Sequence, residues 1–448
     1  MSDPQEITEL DRPLRRGEQA TVAIEDLTHE GRGVTRVGGK VLFVADALPG
    51  EIVDATVVRR RRGHDEARLD QVHQSSADRV EPRCAWFGTC GGCSLQHLDS
   101  AAQLALKQQW LVDTLERIGH VTPQRWLAPL SGPAWGYRRR ARLGVKYVER
   151  KERVLVGFRE RHKPYITDMA GCEVLVPAVA KLIAPLQTMI AELSVARRLP
   201  QIEVAVGDDD VVLVMRVLDE PDAADISRLQ SFAAAHEITI ALQRGRPEDA
   251  ICLDGSQPEL HYRLDKHDIR FDFGPTDFVQ INAAINSEMI DAIVTQLDPA
   301  ADDQVLDLFC GIGNITLPLA RYAGRVTGIE GAAPQVERAR ANAAANGLGN
   351  TDFAVADLST DIVSMPFMQK HWDRLVLDPP RSGAAAVCEN IDRINPGRIV
   401  YVSCHPATLA RDIATLVAAG YQLESAGVMD MFPHTAHVES MAVLSRAK

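Results

Sequence analysis

The segment Val305-Leu-Asp-Leu-Phe-Cys-Gly-Ile-Gly-Asn314 decides which fold the sequence predicts. Its apolar first half is typical of a buried strand, and Gly311 and Gly313 indicate a turn that opens a helix. Such a junction offers free backbone N–H groups to a ligand. Position 316 is threonine, so the third glycine of a dinucleotide fingerprint is missing. The segment therefore favours a smaller, adenosyl ligand over a dinucleotide.

Strands and helices alternate from about residue 269 onward. The expected helices include 332–346 and 407–419, and the expected strands are 305–309, 325–330, 352–357, 374–378 and 398–403. This alternation predicts an α/β fold with a parallel, doubly wound, Rossmann-like sheet. Ligands of such sheets bind at the carboxyl ends of the strands, so the residues at those ends are the first candidates for a site.

Four polar residues lie at those strand ends. Glu330 ends the second strand, where an acid can hold ribose hydroxyls, and Asp357 follows the third, where it could contact an adenine edge. Asp378 opens the turn Asp378-Pro-Pro-Arg-Ser-Gly383, and Cys404 ends the apolar run that starts at Ile399. A reactive thiol beside an adenosyl ligand would act as a nucleophile. Solvated carboxylates and an inert, packed thiol remain the alternatives.

The chain has 448 residues, of which 46% are hydrophobic, and a formal net charge of −12. This length predicts about three domains. Short β-branched runs separated by glycines predict a small, oligonucleotide-binding (OB-like) barrel near the N-terminus. The expected divisions are a disordered lead-in at 1–14, the barrel at 15–74, a central α+β domain at 80–262 and a catalytic domain at 269–448.

Basic residues cluster locally in this acidic chain. The stretch between Arg125 and Tyr165 contains twelve Lys or Arg but only three Glu, and Arg59–Arg62 form a second basic run. Local basic islands favour a polyanion site, although a solvated basic face is the alternative. Tyr137 next to Arg138–Arg140, and Phe158 next to Arg159, could stack on bases and contact phosphates. Both aromatic residues could equally belong to a core.

The N-terminus is polar and acidic, and no apolar run reaches the roughly 18 residues of a membrane span. We therefore expect a cytoplasmic protein without a membrane partner, whose cysteines are reduced. Cys84-x5-Cys90-x2-Cys93 and the distant Cys172 then suggest a metal centre. The spacing differs from that of a zinc ribbon, and four thiolates fit a [4Fe–4S] cluster. Zinc or a chance spacing are the alternatives.

Five ordered motifs in the catalytic half resemble the RNA uracil-5-methyltransferase family. They are Phe278-Val-Gln-Ile-Asn282, Asp307-Leu-Phe-Cys-Gly-Ile-Gly-Asn314, Asp378-Pro-Pro-Arg-Ser-Gly383, Ser403-Cys404-x-Pro406 and His437-Val-Glu439. The resemblance implies Cys404 as nucleophile and Glu439 as general base. It also implies S-adenosylmethionine as cofactor, held by Gln280, Phe309, Asn314, Glu330, Asp357 and Asp378.

The N-terminal half resembles one branch of that family. Members that act on 23S rRNA carry a cluster on similarly spaced cysteines, and the β-rich segment resembles their TRAM RNA-binding barrel. The resemblance thus implies 23S rRNA, at one specific uracil, as the substrate, and no obligate protein partner is evident. A tRNA uracil-5-methyltransferase, an RNA cytosine-5-methyltransferase and a non-catalytic RNA-binding iron–sulfur protein remain the alternatives.

Uracil C5 is a poor nucleophile, which explains the need for a thiol. A thiolate that adds to C6 makes C5 enolate-like, and a base must later remove the C5 proton. We expect Cys404 to have thiolate character, favoured by a helix that starts near Pro406. His405 stands where relatives usually carry asparagine. Because histidine can gain a proton near neutral pH, we predict that the reactivity of Cys404 varies with pH through His405.

Overall fold

The computed structural model describes residues 7–8, 10–246, 249–359 and 362–446. The chain divides into two compact units. The first comprises 1–107, 159–165 and 432–437, and the second comprises 108–158, 166–431 and 438–448. Of the expected lead-in, residues 1–6 and 9 lie outside the described residues. None of the helices in the described ranges is long and apolar enough to cross a membrane.

The first unit is built on a six-stranded sheet. Its strands are β1 (Gln19–Ala23), β2 (Asp26–Leu27), β3 (Arg32–Val37), β4 (Lys40–Ala45), β5 (Ile52–Arg60) and β6 (His64–Gln74), in the order β1-β5-β6-β4-β3-β2. Alternate residues point inward, as Val53, Ala55 and Val57 do in β5. Leu14 is only 2% exposed in the same core, so ordered packing begins before residue 15. The expected lead-in at 1–14 is too long by at least this residue.

The second unit begins within helix α1 (Ser100–Thr114) and contains a central six-stranded sheet. The short strand β7 (Arg125–Trp126) precedes that sheet along the chain. The strands of the central sheet are β8 (Arg140–Val148), β9 (Arg153–Gly157), β10 (Gln201–Val206), β11 (Val211–Arg216), β12 (Thr239–Gln243) and β13 (Ile251–Cys252). Its helices are α2 (Pro177–Ala180), α3 (Ile183–Ala191) and α4 (Ala223–His236).

A hairpin and an eight-stranded sheet complete the second unit. The hairpin is β14 (Leu260–Leu264) and β15 (Ile269–Phe273), which spans the expected boundary between residues 262 and 269. The sheet adds β16 (Gln304–Leu308), β17 (Arg325–Glu330), β18 (Thr351–Val355), β19 (Arg374–Leu377), β20 (Arg398–Ser403), β21 (Tyr421–Met429) and β22 (Glu439–Arg446) to β7. The strand order is β18-β17-β16-β19-β20-β22-β21-β7.

The five strands β16 to β20 run parallel, as the alternating pattern predicted. Their bounds match the expected strands within about two residues, and β16, β19 and β20 are largely apolar runs that are buried on both faces. The helices of this region are α5 (Ala283–Leu297), α6 (Thr316–Leu319), α7 (Ala333–Ala345), α8 (Ala385–Glu389), α9 (Ile391–Ile394) and α10 (Pro406–Ala418). The Rossmann-like sheet is confirmed, and the antiparallel β22 lies beside β20.

Candidate active site

The parallel strands deliver one predicted site residue each to the same edge of the sheet. Neighbouring strands in the order β18-β17-β16-β19-β20 end at or just before Asp357, Glu330, Phe309, Asp378 and Cys404 respectively. Because parallel strands share the direction of their carboxyl ends, these residues form a row along one edge. The row is the candidate active site.

The glycine-rich turn is held to the neighbouring strand. The N–H groups of Phe309 and Cys310 donate to the carbonyl oxygen of Ile329, at 2.9 and 3.1 Å. Phe309 has a φ of 67°, the left-handed conformation that side chains rarely adopt. The Glu330 carboxylate accepts from the N–H groups of Gly311, at 3.2 Å, and Ala332, at 3.0 Å. Glu330 therefore shapes the turn.

A polar network connects the predicted residues Asn314 and Gln280. The Tyr262 hydroxyl donates to Asn314 Oδ1 at 2.7 Å, and the Asn286 amide exchanges bonds of 2.8 and 3.2 Å with that of Asn314. The Arg139 guanidinium lies 4.7 Å from the centre of the Tyr262 ring. Its Nε donates to the Gln280 carbonyl at 3.1 Å. The buried Arg139 thus contacts both Tyr262, which binds Asn314, and the backbone of Gln280.

Asp307 lies in β16 beneath the turn and is completely buried. Thr316 donates its hydroxyl proton to one carboxyl oxygen, whereas the buried Oδ1 has no hydrogen-bond partner. Burial raises the pKa of the Asp307 carboxyl to about 7. A buried oxygen of this kind is rare in proteins without a ligand or water to satisfy it.

Strand pairing sets Cys404 opposite Glu439. In the antiparallel pair of β20 and β22, Ser403 is the register partner of Ser440, so the next residues outward are Cys404 and Glu439. The Ser440 hydroxyl donates to the Ser403 carbonyl at 3.2 Å and fixes this register. Glu439 is buried, at 4% exposure, and Cys404 is partly exposed. The predicted nucleophile and base therefore face the same space.

The charges around Cys404 differ from the expectation. Burial, followed by the carboxylates of Glu439 and Asp378, raises the pKa of the Cys404 thiol to about 11, and Arg381 opposes the shift. Burial and Asp378 also raise the pKa of Glu439 well above its usual value. Burial alone raises the pKa of Asp378 to about 7. These surroundings favour the protonated thiol over the expected thiolate, because burial and the two acids outweigh Arg381.

The turn that carries Asp378 and Arg381 is tied to helix α10 by a residue that sequence reasoning missed. The buried Asp412 accepts from the Tyr401 hydroxyl at 2.6 Å and from the Ala384 N–H at 2.7 Å. Its neighbour Arg411 donates to the Ser382 carbonyl at 2.9 Å. One sequence signal existed, because Asp412 occupies a position three residues after Leu409 on the apolar stripe of α10.

His405 is the N-cap of α10. Its Nδ1 accepts from the N–H of Thr408 at 3.4 Å, and Pro406 follows at the first helical position. An asparagine side chain could cap the helix in the same way. His405 therefore fixes the start of the helix directly after Cys404.

Arginines of the basic run near Tyr137 make hydrogen bonds to backbone carbonyls of the protein itself. Tyr137 and Arg139 are buried, and Arg140 donates to the carbonyls of Pro275, at 2.8 Å, and Asp277. The Arg138 guanidinium lies 5.6 Å from the centre of the Phe158 ring. The interpretation that this run contacts RNA phosphates is wrong for Arg139 and Arg140, and the core alternative holds for Tyr137.

The predicted metal ligands fall in two places. Cys84, Cys90 and Cys93 lie in the cysteine loop, residues 84–95 of the first unit, and Cys172 belongs to the second unit. All four are partly exposed, reduced thiols. The N–H of Gly92 donates to Cys90 Sγ at 3.4 Å. Among the described residues, no three His, Cys, Asp or Glu side chains are gathered closely enough to hold a metal ion.

Comparison with protein families supports the reading of the motifs. The family model described as tRNA (uracil-5-)-methyltransferase matches residues 99–447, and the TRAM domain model matches residues 13–69. A relative from Methylococcus capsulatus is 49% identical over 94% of this chain and 96% of its own length. A relative from Alkalilimnicola ehrlichii is 50% identical over 95% and 96%. Both are named 23S rRNA (uracil(1939)-C(5))-methyltransferase RlmD.

A solved structure shares the same architecture. The tRNA (uracil-54, C5)-methyltransferase of Pyrococcus abyssi, in complex with S-adenosyl-L-homocysteine, superposes with a TM-score of 0.73 at 25% identity. The match covers 95% of this chain and all of that one. The predicted TRAM and methyltransferase domains are thereby confirmed. The chain belongs to the RNA uracil-5-methyltransferase family, the enzymes that depend on S-adenosylmethionine.

Proposed function

We propose that this protein methylates C5 of one uracil in 23S rRNA, the position numbered 1939 in the names of its relatives. The observation that carries the proposal is the register of β20 and β22, which sets Cys404 opposite Glu439 beside the glycine-rich turn. A thiol and a base that face one space can act on C6 and C5 of the same pyrimidine ring. The target base must leave its stack to reach them.

The chemistry divides between the two residues. Cys404 Sγ adds to C6, and the electron pair of the C5–C6 bond makes C5 nucleophilic. Bound S-adenosylmethionine supplies the electrophilic methyl group. Glu439 then removes the C5 proton, the C5–C6 double bond forms again, and the bond between Sγ and C6 breaks. The raised pKa of Glu439 suits a carboxyl group that must hold a proton after this step.

The residues at this edge of the sheet are chemically suited to hold S-adenosylmethionine. We propose that Phe309, Asn314, Glu330, Asp357, Asp378 and Gln280 hold the cofactor. Asp307 Oδ1, buried without a partner, offers an acceptor for a donor group such as an amine, directly or through water. Among the described residues that shift the pKa of Cys404, the acids Glu439 and Asp378 exceed the cation Arg381. A sulfonium cation would offset that excess and favour the thiolate of Cys404.

The match of the first unit to the TRAM domain supports the proposal that the substrate is RNA. The sheet that matches the TRAM domain carries Arg59–Arg62, all exposed. Arginines on an exposed strand end can contact phosphates without reading sequence. Arg60 and Arg61 approach Asp65 and Glu66 at 3.7 and 3.6 Å, which leaves Arg59 and Arg62 as the stronger candidates.

We also propose a [4Fe–4S] cluster bound by Cys84, Cys90, Cys93 and Cys172. Three reduced, partly exposed thiols on one glycine-rich loop, with an N–H donated to Cys90 Sγ, match the donor chemistry of iron–sulfur sites. Purification without oxygen, followed by iron and sulfide analysis, tests the cluster. Bound zinc without sulfide would contradict it.

Labelling of total RNA tests the substrate. The enzyme is incubated with cofactor carrying a labelled methyl group and RNA from a strain that lacks the enzyme. The proposal predicts label on uracil of 23S rRNA. Label on tRNA would favour the tRNA enzyme, as the structural likeness to the Pyrococcus abyssi protein would allow, and label on cytosine would favour an RNA cytosine-5-methyltransferase.

A further inference from the structure

The segment Phe432–His437 lies in the first unit, although β21 and β22 on either side belong to the second. Glu439 follows this segment by two residues. The path of the segment therefore determines how the chain enters β22, whose first residue is the proposed base. Several hydrogen bonds hold the segment to the rest of the first unit.

The cysteine loop binds the segment through backbone groups. The N–H groups of Ser94 and Leu95, which directly follow Cys93, both donate to the His434 carbonyl, at 2.9 and 3.0 Å. The Ser94 hydroxyl accepts from the N–H of Ala436 at 3.1 Å. Lys107 Nζ donates to the Phe432 carbonyl at 2.9 Å. The loop and helix α1 thus form hydrogen bonds with the segment at Phe432, His434 and Ala436.

Gln103 is the centre of this arrangement. It is buried, at 1% exposure, in α1. Its Oε1 accepts from the N–H of His434 at 2.8 Å, and its Nε2 donates to the carbonyls of Leu95, at 3.0 Å, and Leu98, at 2.8 Å. Nε2 also lies 3.2 Å from His434 Nδ1. One amide therefore binds both the cysteine loop and the segment.

The backbone of His434 needs this support. Its φ of 64° is left-handed, a conformation that is strained for a non-glycine residue and persists only where neighbours enforce it. Gln103 holds its N–H, and the cysteine loop holds its carbonyl. Without Gln103, the segment can relax and shift the start of β22.

We propose that Gln103 is a positioning residue for the second half of the reaction, because it fixes the segment that leads into Glu439. The inference rests on the proposed function and deepens it. Addition of Cys404 and methylation of C5 do not require the base, whereas removal of the C5 proton does. Loss of Gln103 should therefore slow the elimination step and leave the addition step unchanged.

Two RNA substrates separate these steps. With an RNA fragment that carries 5-fluorouridine at the target, C5 has no proton, so the methylated covalent adduct cannot be released. Its rate of formation therefore reports on addition and methylation but not on removal of a C5 proton. With uridine, release of the adduct reports on Glu439. We expect Gln103→Leu to form the fluorinated adduct at the wild-type rate. On uridine RNA it should release the adduct up to about 100-fold more slowly, as small misplacements of a catalytic group can cause.

Two further variants guard against misfolding. Ser94→Ala removes one bond to the same segment and should slow release in the same direction but less. Gln109→Leu changes an exposed residue of α1 and should behave as wild type. Normal release by both Gln103→Leu and Ser94→Ala, or an equal loss in both assays, overturns the inference. Failure of the wild-type enzyme to form any fluorinated adduct would instead overturn the proposed function on which it rests.

Discussion

At the scale of single residues, the site combines a thiol with an excess of acids. Cys404 faces Glu439 and Asp378, and Arg381 is the cation that acts against them. Burial strengthens each of these interactions, since the local dielectric is low. Burial and the two acids raise the pKa of the Cys404 thiol and so disfavour its thiolate form. A bound cation would change that balance, so reactivity should depend on occupancy of the cofactor site.

The pH dependence of alkylation tests this balance. Because the pKa of Cys404 is raised to about 11, the rate of reaction with iodoacetamide should keep rising with pH beyond 9 in the protein without cofactor. Arg381→Leu removes the opposing cation and should lower the rate at pH 9, whereas Glu439→Gln should raise it. A plateau below pH 9 in the wild type would contradict the description of the site.

His405 offers a second test at the same scale. Its Nδ1 accepts from the N–H of Thr408 and fixes the start of α10 beside Cys404. We expect the alkylation profiles of wild type and His405→Asn to differ in shape, because the two side chains place different groups at this cap. His405→Ala should lose about 1 kcal/mol of stability. Superimposable profiles for wild type and His405→Asn would end this idea.

At the scale of elements, the site depends on how turns are fixed to helices. Gly383 has a φ of 77°, and a Cβ there would lie 2.5 Å from Asp412 Oδ2 and 2.6 Å from Arg411 Nη2. Those two side chains connect α10 to the turn that contains Asp378 and Arg381. The turn therefore depends on a glycine at its last position.

Replacement of Gly383 by alanine should disturb this connection. We expect a loss of about 2–4 kcal/mol, from backbone strain together with crowding, and a marked loss of activity. Gly347→Ala is the matched control, because Gly347 has a φ of 66° but open space around it. Thermal unfolding and methyl transfer of both variants are the measurements. Equal effects would show that strain alone acts and that the contact with Asp412 is unimportant.

Sequence reasoning succeeded for the elements that follow a simple period. The strands that end at Phe309, Glu330, Asp378 and Cys404 are apolar runs, so their order and direction were predictable. The ties between elements were not, because Asp412 and Gln103 act through partners that are distant in sequence. The prediction for Arg139 was wrong for the same reason. A run of arginines in the sequence is typical of an exposed basic surface, but the fold buries the Arg139 side chain.

At the scale of the whole molecule, we propose that the first unit binds RNA and that the second unit carries out the chemistry. The TRAM sheet contributes exposed arginines to the first unit, and the second unit contributes Cys404 and the glycine-rich turn. Phosphate contacts position an RNA but do not select a base. Changes in the basic run should therefore alter binding more than turnover.

The double variant Arg59→Ala, Arg62→Ala tests this division. We expect a higher KM for an rRNA fragment at nearly unchanged kcat, and a salt dependence of binding that is less steep by about one unit for each lost phosphate contact. The double variant Arg216→Ala, Arg228→Ala, exposed in the second unit and outside both basic runs, is the control and should behave as wild type. A lower kcat at unchanged KM in the first variant would contradict the assignment.

In the proposed mechanism, Cys404 and Glu439 act in successive steps on one uracil. Denaturing gel electrophoresis of the enzyme with labelled cofactor and an rRNA fragment that contains the target tests this order most directly. We expect no adduct and no methylation with Cys404→Ala. With Glu439→Gln we expect a methylated protein–RNA adduct whose release is about 10²–10⁴-fold slower than in the wild type. Methylation by Cys404→Ala, or rapid release by Glu439→Gln, would contradict it.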